Sequence, residues 1–83
     1  MNSATISGAG VLQNDGIIQI NANNTISAAV NNADTIFVDH QTNYVTGTFT
    51  TTSTSVLDFR CANYVGQVTF SNGWTNNGKI LFA

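Results

Sequence analysis

Short apolar stretches recur along this chain at a fixed interval, separated by polar segments rich in Asn, Gly, Thr and Ser. Ile17, Ile18 and Ile20 form one such stretch, and Ile36, Phe37 and Val38 the next. Val56, Leu57 and Phe59 follow, then Ile80, Leu81 and Phe82. A second series runs between them. NNTIS at Asn23, NYVTG at Asn43 and NYVGQ at Asn63 start twenty residues apart, and SATIS at Ser3 lies one period earlier. This register divides the chain into four rows, 3–22, 23–42, 43–62 and 63–83. The last apolar stretch is displaced by two to three residues, which places a small insertion near Gly73-Trp74.

Apolar runs this short, rich in β-branched residues and bounded by turn formers, predict strands. Ala28, Ala29 and Val30 permit a helix, but Asn31-Asn32 argues against extending it. A twenty-residue repeat of two or three short strands is too small to close a core of its own. It must stack on its neighbours, each strand pairing with its equivalent one period away at about 4.8 Å. The expected fold is therefore all-β: a single domain, a parallel β-solenoid of about four 20-residue coils. A small antiparallel sandwich or jelly roll is the alternative, with Asp15-Gly16, Asn72-Gly73 and Asn77-Gly78 as its hairpin turns. In the solenoid, Asn23, Asn43 and Asn63 form a column, and stacked amides of this kind hydrogen-bond along the axis.

The segment Leu12-Gln13-Asn14-Asp15-Gly16-Ile17-Ile18 has the form L-x-N-x-G-x-I, and Trp74-Thr75-Asn76-Asn77-Gly78-Lys79-Ile80 repeats it with Trp in the first place. In a wound chain Asn14, Gly16, Asn76 and Gly78 mark coil corners, not hairpins. This pattern resembles the repeats of filamentous-haemagglutinin-type adhesins, and more loosely the coils of phage tailspikes and autotransporter passengers. The resemblance implies a parallel β-helix carried on a cell or virion surface.

Composition narrows the function further. Only 7% of the residues are charged, and the formal net charge is −2. Asn and Thr number twelve each, and Ser six, while 42% of residues are hydrophobic, enough to fold. With Arg60 and Lys79 as the sole fixed cations there is no basic face for nucleic acid. No apolar run exceeds four residues, so no membrane insertion is expected. MNSATISGAG lacks the basic start and apolar core of a secretory leader.

Chemistry is sparse. His40 is the only imidazole, and Asp39, His40, Asp58 and Arg60 form the one charged cluster that twenty-residue stacking brings together. Cys61 is the only cysteine and has no second histidine to activate it. No metal-ligand spacing or phosphate loop is present. The expectation is no enzyme, no cofactor and no metal. The Thr48–Ser55 run occupies one row alone, too little for an ice-binding array. Tyr44 and Tyr64, one period apart, and Trp74 are the candidate contacts for a cell-surface glycan or partner. A four-coil stack also leaves both ends unpaired, and the chain closes on Ile80-Leu81-Phe82 without a charged or proline-bearing cap. Self-association, end to end or as a trimer, is therefore expected of a structural protein at the cell or virion surface.

Overall fold

The computed structural model describes residues 1, 3–39, 41–60 and 66–82. Eleven short strands follow one another among these residues, and no helix does. They are β1 (Thr5–Ile6), β2 (Val11–Asn14), β3 (Ile17–Ile20), β4 (Thr25–Ile26), β5 (Ala29–Asn32) and β6 (Thr35–Val38). Then come β7 (Gln41–Val45), β8 (Phe49–Thr51), β9 (Val56–Phe59), β10 (Gly66–Phe70) and β11 (Lys79–Phe82). Three sheets result, in the orders β1-β4-β7-β10, β2-β5-β8 and β3-β6-β9-β11. All their pairings are parallel, and each joins a strand to its equivalent one turn of chain later. The chain is a β-solenoid of about four coils. β2 and β3, on either side of Asn14-Asp15-Gly16, lie in different sheets and do not pair, which removes the antiparallel alternative.

The strict alternation of side chains along a strand decides what fills the interior. In β6, Ile36 and Val38 are buried while Thr35 and Phe37 lie nearer the surface. Inward positions align into columns down the stack. Ile6, Ile26, Val45 and Phe70 form the first, and Leu12, Val30 and Phe49 the second. Ile18, Ile36, Leu57 and Ile80 form the third; Ile20, Val38, Phe59 and Phe82 the fourth. These columns meet in one core, whose residual void of about 10 Å³ has room for little more than one water. Among the described residues this void leaves no space for a ligand between the columns.

The coils are not equally long. Down the first sheet the register advances by 20, then 19, then 25 residues, from Thr5 to Thr25 to Tyr44 to Thr69. The expected insertion near Gly73-Trp74 is not where the extra residues lie. They enter earlier, in the 60–65 link from β9 to β10, which has six residues against two, 39–40, from β6 to β7. Residues 71–78 contain no strand, and their backbone follows the place a fourth strand of the β2-β5-β8 sheet would take. Thr51 holds it there, since its Oγ1 donates to the Thr75 carbonyl (3.3 Å) and accepts from the Asn77 N–H (2.9 Å).

Candidate functional site

Corners come first, because they position everything else. A chain that turns inside a stack leaves backbone N–H and C=O groups facing the core, and these need partners. Buried asparagines provide them. Asn14 accepts from the Gly16 N–H (3.2 Å) through Oδ1, and its Nδ2 donates to Asn32 Oδ1 (2.8 Å) and the Thr35 carbonyl (2.9 Å). Asn32, with no exposed surface, donates in turn to the Val56 carbonyl (3.4 Å). Asn76 and Gly78 make the same local turn at the last coil, Gly78 N–H to Asn76 Oδ1 (3.2 Å). The two related heptapeptides thus stand at equivalent corners, each ending on a residue of the Ile18–Ile80 column.

The corner before the first sheet uses a second ladder, and its residues differ from those expected. Asn24, not Asn23, stands over Asn43. Asn43 Oδ1 accepts both the Asn24 N–H (3.1 Å) and Asn24 Nδ2 (3.0 Å), and Asn24 Oδ1 accepts the Ala4 N–H (3.0 Å). Above Asn43 comes Val68, so the amide column stops there, although Asn43 Nδ2 still reaches the Gln67 carbonyl (3.3 Å). Asn63 lies outside the described residues. Asn23 is exposed and bonds Gln41 on the outer surface (2.8 Å). Its backbone explains its identity: φ is 54°, in the left-handed region that asparagine tolerates better than most residues. Ser3 (48°) and Gln41 (62°) adopt the same region at neighbouring coils.

The candidate contacts separate. Tyr44 is 46% exposed on the outer face of β7, between Thr25 and Thr69 in the register. The expected Tyr44–Tyr64 column is not formed by that register, because the longer third coil puts Thr69 over Tyr44; Tyr64 itself lies outside the described residues. Trp74 turns inward. It packs edge-on against Phe49 (4.9 Å between ring centroids, 82°) and against Phe70 (4.9 Å), and is half-buried over the core. It is therefore a core element of the final coil, not a projecting ring for a sugar.

The charged cluster also rearranges. Arg60 lies 3.6 Å from Asp58 and places its guanidinium 3.5 Å above the Phe37 ring, while Asp39 accepts a hydrogen bond from Gln19 Nε2. His40 lies outside the described residues. Among the described residues, no three His, Cys, Asp or Glu side chains gather as a metal site would require.

What the fold does present is two open ends. Among the described residues the sheets stop at β1, β2 and β3 at one end and at β10, β8 and β11 at the other, with Met1 lying on β3 and residues 75–77 on Thr51 of β8. At the far end inward columns end in solvent: Ile80 is 37% exposed and Phe82 77%, although Phe82 stacks on Phe59 (5.1 Å, 10°). At the near end Ile6, Leu12 and Ile18 are only partly covered. An open notch of about 230 Å³ lies beside them, lined by Ile6, Ser7, Gly10, Val11, Leu12 and Ala28. Sequence reasoning anticipated the unpaired ends from the uncapped Ile80-Leu81-Phe82, but not the notch. The notch arises because four residues, 7–10, link β1 to β2 where two, 27–28, link β4 to β5. Comparisons with protein-family models, curated proteins and solved structures return no match for this chain.

Proposed function

We propose that this chain is a non-enzymatic structural protein, a β-solenoid segment that assembles with further copies of itself. The observation that carries the reading is the edge strands at the two ends of the described stack, β1, β2 and β3 at one and β10 and β11 at the other, with Ile80 and Phe82 exposed at the second. Such edges are templates for another chain, and soluble proteins ordinarily block them with charge, proline or a capping element. Here row 63–83 carries a single charge, Lys79, and the whole chain lacks proline. An extracellular filament, an adhesin or a phage fibre is the setting that the corner motifs and the Asn/Thr-rich surface suit. The glycan-binding reading has less support, since Trp74 faces the core and Tyr44 stands by itself among the described residues.

Sedimentation velocity across a hundredfold concentration range, with electron microscopy of the concentrated sample, tests assembly. Species that grow with concentration into regular rods are expected. A dispersed monomer at every concentration would refute the proposal.

A further inference from the structure

Resting on the assembly reading, we infer that the copies join head to tail, with the last coil of one seated on the first coil of the next in continuous register. The columns specify the match. Phe70 belongs to the column that begins with Ile6, and Ile80 to the one that begins with Ile18. Trp74 packs on Phe49, whose column begins with Leu12. A second copy therefore meets the last apolar side chain of each column with the first member of that column. At one end Phe70 and the half-buried Trp74 form the last aromatic layer, packed on Phe49, and at the other the notch beside Ile6 and Leu12 lies open. A cavity of 150 Å³ already accepts a benzene ring, so the notch of about 230 Å³ has room for an aromatic side chain.

Charge agrees with the same polarity. Lys79 stands in the outward column of Ile17, so the seam brings this cation to within two residues of the exposed Asp15. The area suffices. The molecule measures 34 × 27 × 23 Å, and even its smallest cross-section offers on the order of 600 Å² per copy, near the lower bound for a specific interface. A seam of β11 against β3 adds parallel hydrogen bonds to that area.

One local exchange is required. Met1 already pairs with Ile20, donating its amino group to the Gln19 carbonyl (2.6 Å) and accepting from the Asn21 N–H (2.9 Å). Phe82 of the neighbour takes this same position, because it heads the Ile20 column from the other end. Docking replaces Met1 by Phe82; the Gln19 and Asn21 backbone groups keep partners, and Asn24 Nδ2 gives up the Met1 carbonyl but keeps Asn43 Oδ1.

Disulfide trapping tests the geometry. Leu81 and Gln19 share an outward column and are both exposed. Across a head-to-tail seam their Cα atoms lie about 4.8 Å apart, within disulfide reach. Within one chain three coils separate them, about 14 Å, too far to bridge. The variant L81C/Q19C in a C61S background is expected to oxidise into a ladder of covalent oligomers, whereas each single-cysteine variant is not. Phe82→Asp is expected to raise the concentration needed for association at least about tenfold, by placing a carboxylate in an apolar seam. Dimers from Leu81→Cys alone would overturn the head-to-tail arrangement in favour of a tail-to-tail one. Concentration-dependent assembly without any 19–81 cross-link would overturn it too, while leaving the assembly reading intact. Absence of assembly in the unmodified chain would overturn both.

Discussion

Replacing Asn43 with alanine removes the most connected amide of the first corner. Its side chain is 1% exposed and makes three hydrogen bonds: two accepted by Oδ1 from Asn24 and one donated to the Gln67 carbonyl. A typical net contribution is about 1 kcal/mol per bond, and a buried group left unpaired costs about 1–3 kcal/mol. Asn24 Nδ2 keeps the Met1 carbonyl as a partner (3.0 Å), but the Asn24 backbone N–H loses the partner it has. The expected destabilisation is therefore about 3–4 kcal/mol. For a chain of this size each kcal/mol shifts Tm by about 4–8 °C, so a fall of about 12–32 °C is expected. Asn23→Gly is the matched control, one residue from the ladder. It loses an exposed hydrogen bond yet retains a backbone suited to φ 54°, and its expected effect is within about 0.5 kcal/mol. Far-UV circular dichroism and Trp74 fluorescence, followed during heating at one protein concentration, supply the comparison. If Asn43→Ala shifts Tm no more than Asn23→Gly, buried amides do not hold the corners and the reasoning fails.

Three further outcomes are expected. Gly78→Ala should destabilise by about 2 kcal/mol or more, since a Cβ there overlaps Ser55, whereas Gly16→Ala at the equivalent corner meets open space and should stay within about 0.5 kcal/mol; chemical denaturation compares the two. Gln41→Asn should stabilise by about 0.5–1 kcal/mol in the same assay, because φ 62° suits asparagine better than glutamine. Phe49→Ala should cost about 3–5 kcal/mol and shift Trp74 emission to the red in the folded protein, because it removes the ring against which the indole packs edge-on.

The period and the parallel pairing were legible because the forces behind them act on residue type alone. Ile18, Ile36, Leu57 and Ile80 must face inward, and their spacing announces the coil length. The Asn14–Gly16 corner was legible through its repetition at Asn76–Gly78. Finer register was not. Asn23 and Asn24 are identical side chains one apart, and what separates their roles is the second coil's advance of 19 residues instead of 20. That single step sends Asn24 into the stack and leaves Asn23 at the left-handed turn outside it. The same kind of slip undid the tyrosine pair. Trp74 was ambiguous because the apolar columns continue through a segment with no strand, so alternation gives no direction there; only its place above Phe49 turns it inward.

Fibre diffraction from an aligned, concentrated sample of the unmodified chain tests the central claim most directly. Parallel coils stacked through head-to-tail seams place the strand spacing on the fibre axis, a meridional reflection near 4.8 Å. They also predict an axial repeat of about 19 Å, one four-coil copy per repeat. Both reflections on the meridian are the expected result. A 4.8 Å reflection without the 19 Å repeat, or a sample that yields no ordered fibre at all, would contradict the account.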